Sequence, residues 1–309
     1  MNCLVTGGAG FIGSHVVDAL VARGDHVTVV DNLSSGRREN LAGALERGAT
    51  LRVADVRNAG ALAEIFDDAR PELVFHLAAQ IDVRYSVEHP VQDAQANVLG
   101  TIEVLEAARA AGARRVVNTS TGGGLYGDAS VIPTPEDYLI RPLAGYGQGK
   151  YAAEGYCGLY TRLHGLSTVS LRYGNVYGSR QDVHGEAGVI AIFCGRIVDG
   201  RRPTVFGDGR QTRDWIEVSD VARANLAAAE SDITGPVNIG TGREISVLDV
   251  LTTLVRVSGV EGPVDPEMAP ARPGEVQRSC LEVTRAREKL GWEAQVGLEQ
   301  GLRTILATL

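Results

Sequence analysis

Thr6-Gly7-Gly8-Ala9-Gly10-Phe11-Ile12-Gly13 joins a short apolar run, Asn2-Thr6, to a stretch of helical apolar spacing, Phe11-Arg23, and its reading decides the fold. Gly7 permits a tight strand-to-helix turn. Gly10 lets backbone N–H groups approach a pyrophosphate, and Gly13 lets the helix pack close to the strand. Asp31 ends the next apolar run, His26-Asp31, where a carboxylate accepts hydrogen bonds from an adenine-ribose 2′-hydroxyl and repels a 2′-phosphate. Together these features favour NAD over NADP. Arg37 and Arg38 just beyond it read as solvent-facing residues at a helix start. Asp55 after the third run lies where it reaches an adenine amino group, and Leu77-Ala78-Ala79 after the fourth supplies small residues at the cofactor edge.

Outward from that turn, β-branched runs alternate with amphipathic stretches. Strands are expected at Asn2-Thr6, His26-Asp31, Thr50-Ala54, Glu72-His76, Arg115-Ser120 and Ser167-Arg172, apolar enough to be buried on both faces of a parallel sheet. Helices are expected at Phe11-Arg23, Ala59-Ala69, Val91-Ala111 and Tyr146-His164, with Gly24, Gly112 and Gly165 at C-terminal capping positions. The fold class is therefore α/β, a doubly wound parallel Rossmann sheet with a smaller C-terminal mixed α/β lobe that binds substrate. The expected division is 1–173 for the NAD-binding domain and 174–309 mainly for the second lobe, with a segment near 211–240 returning to the first.

The 309 residues suffice for this arrangement, and 38 acidic against 30 basic side chains leave a net charge of −8 that disfavours a general nucleic-acid binder. The four cysteines, Cys3, Cys157, Cys194 and Cys280, form no CxxC pair or zinc spacing, so they read as reduced buried thiols and no metal is expected. The N-terminal run shows no basic leader, and no apolar stretch approaches the roughly 20 residues of a membrane helix. A cytoplasmic protein without a membrane partner is the expectation.

Tyr146 and Lys150 stand four apart, one helical turn, and so share a face. A phenol of pKa about 10 becomes a usable base near neutral pH if a neighbouring ammonium and an oxidised nicotinamide favour its phenolate. Lys150 also suits the nicotinamide ribose. The pair opens the helix before the sixth strand, while Ser120-Thr121 ends the fifth.

In this order of motifs the chain resembles the extended short-chain dehydrogenase/reductase family over essentially its whole length. The resemblance rests on the residue 6–13 turn, Asp31-Asn32-Leu33, His76-Leu77-Ala78-Ala79-Gln80, Tyr146 with Lys150, and Arg213-Asp214 with Val218 and Asp220. Gly185-Glu186-Ala187-Gly188-Val189-Ile190-Ala191-Ile192-Phe193 and Phe206-Gly207-Asp208-Gly209 are similar to its bacterial UDP-glucose 4-epimerase group and to relatives acting on other UDP-hexoses. The resemblance implies cofactor contacts at Gly7, Gly10, Phe11, Ile12, Gly13, Asp31, Asn32, Asp55, Val56, Leu77, Ala78, Ala79, Gln80, Asn97, Tyr146, Lys150 and Tyr173. It implies substrate contacts at Thr121, Tyr146, Asn175, Val189, Val205, Phe206, Arg213, Arg272 and Ser279, with the two arginines on phosphates and Val189 and Phe206 flanking the uracil. A homodimer through Val91-Ala111 and Tyr146-His164 is also implied.

Dehydratases and decarboxylases of that family place carboxylates just after the fifth strand, because losing water or stabilising an enolate needs extra acid-base groups. Ser120-Thr121-Gly122-Gly123-Gly124-Leu125-Tyr126-Gly127 contains none, which favours epimerisation at C4 of a UDP-hexose through a transient 4-keto sugar. Many relatives carry a serine at the place of Gly122, so the assisting hydroxyl falls to Thr121 or Ser120, with Thr121 favoured and Tyr126 and Tyr177 as lesser candidates. Ser279 replaces a bulky tyrosine of glucose- and galactose-restricted relatives and leaves room for an N-acetyl group. Enzymes acting on UDP-glucuronate carry an arginine near the place of Asp182, although Arg84 or Arg180 could compensate. A UDP-glucuronate 4-epimerase or another nucleotide-sugar-modifying relative is the alternative, and a non-catalytic NAD-binding protein the distant one.

Overall fold

The computed structural model describes residues 1–183, 188–260, 265–272 and 275–309. Seven parallel strands form one sheet: β1 (Asn2–Thr6), β2 (His26–Asp31), β3 (Thr50–Val53), β4 (Leu73–His76), β5 (Arg115–Thr121), β6 (Ser167–Tyr173) and β7 (Gly235–Ile239). Their order, β7-β6-β5-β4-β1-β2-β3, reverses direction between β4 and β1, which opens a crevice at the carboxyl ends of those two strands. Strand alternation explains the two covering layers. Cys3 and Val5 of β1 and Leu73 and Phe75 of β4 face a core shared with helix α1 (Phe11–Arg23). Leu4 and Val74 face the opposite core with α2 (Ala59–Ala69), α3 (Gly100–Ala110) and α4 (Gly145–His164).

The expected strands and helices of the first 173 residues are present within a residue or two, and Gly24, Gly112 and Gly165 all adopt positive φ. One expectation needs correcting: Val91-Ala111 is not a single regular helix. Pro90–Ala94 runs into a π-helical turn, Gln95–Leu99, before α3 begins. The wider turn rotates Asn97 inward, where its amide clamps Gln80 through Gln80 N at 2.9 Å and Gln80 O at 3.0 Å.

The second lobe packs helices Val189–Val198, Val247–Ser258 and Leu298–Leu306 around Phe193, Val205, Trp215, Leu251 and Leu302. The chain returns to the sheet through α5 (Val218–Glu230) and β7, which pairs with β6 from Gly235↔Val169 to Ile239↔Tyr173. Among the described residues no helix is long and apolar enough to cross a membrane.

His76 ends β4 wholly inside this frame, with Thr6 Oγ1 at 2.7 Å and Thr101 Oγ1 at 3.0 Å on its two ring nitrogens. Burial first, and then the Lys150 charge, pull its pKa down to about 3 from 6.5. The unfolded chain therefore binds a proton at this residue before the folded one does, so stability is complete above about pH 6.5 and falls as pH drops toward 3. At pH 5 this one group should cost about 2 kcal/mol. Urea unfolding of His76→Gln at pH 7 and pH 5 should show a correspondingly smaller acid loss than the parent.

Candidate active site

The first turn is built by close backbone approach. A side chain at Gly7 (φ +69°) would place Cβ 2.6 Å from Ala78 N, and one at Gly13 would place it 2.1 Å from Gly7 O. At Gly10 an added Cβ meets only Gly7 O, at 3.2 Å, so the protein itself leaves that cradle open. Gly10 caps α1 without a side-chain acceptor, and the first N–H groups of the helix face that cradle. Asp31 receives Ala9 N at 2.9 Å and Leu33 N at 2.8 Å, which aims its carboxylate along the end of β2. The glycine cradle, an N–H-lined helix start and this carboxylate fit the dinucleotide expected from the sequence. Arg37 and Arg38 are exposed, as expected.

Asp55 differs from expectation. Arg57 Nε and Nη2 at 2.8 and 2.7 Å, Arg57 N at 2.9 Å and Asn32 Nδ2 at 2.9 Å occupy its carboxylate and hold it below the usual carboxylate range. One of those four donors must yield before an adenine amino group can bind there. Val56 is turned into the core beneath Gly100, leaving only its backbone toward the crevice. Phe11, Ile12, Leu77, Ala78, Ala79 and Gln80 are partly exposed around the first turn and the end of β4. Tyr173 is enclosed instead, its hydroxyl held between Thr119 and Asn225, so it offers no side chain to a cofactor.

Tyr146 opens α4 as its second residue, and the glycines around it let the helix sit unusually close to its neighbours. Added Cβ atoms would lie 2.6 Å from Ser86 O at Gly145 and 2.4 Å from Gly124 O at Gly147. The Thr121 side chain acts on the Tyr146 phenol, easing its ionisation, and its hydroxyl accepts Gly124 N at 3.1 Å. Ser120 Oγ is buried without a partner, so Thr121 is the hydroxyl presented to Tyr146. Tyr126 is committed to Asn238 and Arg172, and Tyr177 is packed in the second lobe against Gly301, so neither lines the site.

The electrostatics of the pair are set first by burial. Burial pushes Tyr146 up to about 12, Thr121 opposes this, and Asp93 adds to it. Lys150 shares this burial. Its own pKa is lowered to about 8 by burial, and its Nζ donates to Thr119 O at 3.0 Å.

On the far side, Asn175 Oδ1 is buried without a partner, and an added Cβ at Gly123 would lie 3.3 Å from it. Ser279 N donates to Thr212 O at 3.2 Å, beside Arg213, whose guanidinium reaches Glu275 at 3.2 Å. Burial lowers the Arg213 pKa against the opposing charges of Glu275 and Asp128. Arg272 stacks its guanidinium 3.9 Å over the Phe206 ring, which brings two expected ligand contacts onto each other. Val189 begins its helix half-buried, whereas Val205 is enclosed in the lobe's core and cannot reach a ligand through its side chain. Gly185, Glu186 and Ala187 of the glycine-rich motif, and Pro273 and Gly274 beside Arg272, lie outside the described residues.

Sequence reasoning missed Asp93, which joins Gln80 and Asn97 under α4. The signal was a polar stripe of period four, Asp93, Asn97 and Thr101, and all three are buried. It also missed why residue 122 is glycine: an added Cβ would sit 2.5 Å from Leu281 Cδ1.

A family model described as "NAD dependent epimerase/dehydratase family" matches residues 3–240. A Mycolicibacterium smegmatis protein named UDP-glucose 4-epimerase is 46% identical over 307 residues, covering 98% of this chain and 96% of the relative. The crystal structure of a Thermotoga maritima UDP-glucose 4-epimerase with UDP-glucose superposes with a TM-score of 0.95 at 46% identity, covering 99% of this chain and 98% of the other. A Thermus thermophilus UDP-glucose 4-epimerase in complex with NAD gives 0.91 at 41% identity, covering 99% and 98%.

The Gly122–Leu281 fit makes a stability prediction. Gly122→Ala should cost about 1–3 kcal/mol by overpacking, and Leu281→Ala about 2–5 kcal/mol by leaving a void. In chemical denaturation the double variant should cost less than their sum by at least about 1 kcal/mol, since each change relieves the other.

Proposed function

The chain belongs to the NAD dependent epimerase/dehydratase family, and we propose that it inverts C4 of a UDP-hexose through a transient 4-keto sugar. It is an NAD-dependent UDP-sugar 4-epimerase, an isomerase. The observation that carries the reading is the pairing of Thr121 with Tyr146, beside Lys150 and the dinucleotide cradle, on a segment from 120 to 127 that has no carboxylate. One base and one hydroxyl suit a proton that leaves and returns. They do not suit elimination of water or loss of carbon dioxide.

NAD, when bound, supplies a reversible hydride acceptor for the sugar carbon, so no outside oxidant is consumed. Gly10, Phe11, Ile12 and Gly13 seat the pyrophosphate through their backbone, and Asp31 takes the adenine ribose. Asn32, Leu77, Ala78, Ala79, Gln80 and Asn97 would line the remaining cofactor wall, and Lys150 would hold the nicotinamide ribose. Tyr146 Oη takes the proton of the sugar 4-hydroxyl and later returns it, while Thr121 Oγ1 orients that oxygen. Asn175, Arg213 and Arg272 hold the diphosphate, and Phe206 and Val189 enclose the base. Residues 1–173 thus serve the cofactor and 174–309 mainly the UDP-sugar, with the chemistry between them. Ser279, beside Arg213, leaves space at the hexose for UDP-N-acetylhexosamines as well as UDP-glucose and UDP-galactose.

We also infer a cytoplasmic homodimer. The four cysteines are free and buried, which suits a reducing compartment. Val91, Leu99, Tyr151, Tyr156 and Leu163 expose apolar surface on the helices expected to pair. Sedimentation should give twice the mass of one chain; a monomer at all concentrations would refute the pairing.

Incubation with UDP-galactose, UDP-N-acetylgalactosamine and UDP-glucuronate, with chromatographic separation, should yield the C4 epimer of the first two. Formation of none would end the epimerase reading. Tyr146→Phe should keep bound NAD yet lose about 10²- to 10⁴-fold in kcat. Ser279→Tyr should impair the N-acetylated sugar selectively, and equal loss on both sugars would remove the gate.

A further inference from the structure

We infer that Asp93 is a positioning residue for the reaction, its buried carboxylate being the counter-charge that keeps Lys150 an ammonium inside the dry site. The inference rests on the epimerase reading for the use of that ammonium, but not for its existence. Asp93 lies on the helix before the π turn, and its Oδ1 accepts Gln80 Nε2 at 2.8 Å and Asn97 Nδ2 at 3.0 Å. Both neighbours donate, which favours the carboxylate over the acid, although burial raises its pKa from the ordinary value. The other oxygen abuts α4 between the two catalytic residues: an added Cβ at Gly149 would lie 3.1 Å from Asp93 Oδ2. Gly149 is thus the residue that lets this anion approach.

The other groups around Lys150 do not replace it. Glu154, one turn further along α4, is occupied by Arg172, whose Nε and Nη2 sit at 2.9 and 2.6 Å from its two oxygens. Cys157 is a neutral thiol, pushed up to about 12 by burial. His76, facing Lys150 from β4, is neutral, with its pKa pulled down to about 3. Around Tyr146 the partners are Thr121 and Asp93. Burial alone drives Lys150 toward the free amine, and Asp93 is the leading charge acting against that. Its price is that the same charge holds the Tyr146 phenol up.

Two consequences have fixed signs. Removing the Asp93 charge lowers the pKa of Lys150, because the ammonium loses the leading charge that opposes its burial. It also lowers that of Tyr146, because the phenolate loses a repelling neighbour. A reaction that needs Lys150 charged and Tyr146 ionised then has both limbs of its pH profile moved to lower pH.

The chain contains only two lysines, Lys150 and the exposed Lys289, so NMR of protein labelled at the lysine ε-carbon resolves them, with Lys289→Arg giving the assignment. In NAD-loaded Asp93→Asn, which keeps an acceptor for Gln80 and Asn97, the Lys150 midpoint should fall by about 1 pH unit while that of Lys289 stays put. Asp93→Glu, which keeps the charge, should restore most of the shift, and Asp93→Ser repeats the test if the asparagine variant is not recovered folded. The kcat profile on UDP-galactose should move to lower pH by a similar amount. An unchanged Lys150 midpoint overturns the inference, as does a fall in kcat with an unmoved profile, the mark of a purely structural role. If the parent enzyme epimerises no UDP-sugar, the proposed function fails instead, and the lysine titration still decides the role of Asp93.

Discussion

One carboxylate holds the two lobes in register. Asp214 is wholly buried, and a carboxylate stripped of water is costly unless its lone pairs are filled. Oδ1 takes Thr241 N at 2.7 Å and Thr241 Oγ1 at 2.6 Å, while Oδ2 takes Gly242 N at 3.1 Å and Leu281 N at 3.2 Å. Its main-chain oxygen takes Asn175 N at 2.7 Å. Burial raises its pKa and these donors pull it back, so the end of β6, the end of β7 and the C-terminal segment must all meet at one point. Gly174 and Gly240 are glycines because an added Cβ would lie 2.7 Å from Asp214 O and 2.4 Å from Asp214 Oδ2. Arg213, Asn175, Ser279 and the Leu281 that covers Gly122 take their places from this meeting point.

Helix α4 is held by a different device, the removal of side chains. Glycines at 145, 147 and 149 each forfeit helical propensity, about 1 kcal/mol relative to alanine. In return the first turns of α4 sit directly on Ser86 O, Gly124 O and the Asp93 carboxylate. Farther along, the bidentate Arg172–Glu154 pair fixes the helix to β6, with Arg172 also donating to Tyr126 and to Glu136 O. Arg172 is raised because this pairing with Glu154 outweighs the opposing effect of burial. Tyr146 and Lys150 therefore project from a helix whose position is determined on several sides at once.

Much of this was legible from spacing. Runs buried on both sheet faces, helices of period 3.6 and glycines at their C-termini are local signals, and the turn at residues 6–13 reports its own close contacts. What escaped reading depends on distant contacts. Val205, Tyr173 and Tyr177 look like wall residues until the core that encloses them is assembled. Asp55 looks free until Arg57, two positions on, folds back onto it. The Tyr146–Lys150 spacing was visible, but the dielectric around it was not, and burial there raises the phenol's pKa.

That rise is consistent with the chemistry rather than opposed to it. A phenol held near 12 by burial is a poor base by itself, and a lysine near 8 is only loosely committed to its charge. The low dielectric responsible for both also strengthens any charge placed in the site. A phenol in such surroundings answers to its immediate charged neighbours far more than to the bulk pH. Positive charge assembled beside Tyr146 therefore favours its phenolate strongly, and Asp93 sets how much of that charge Lys150 contributes.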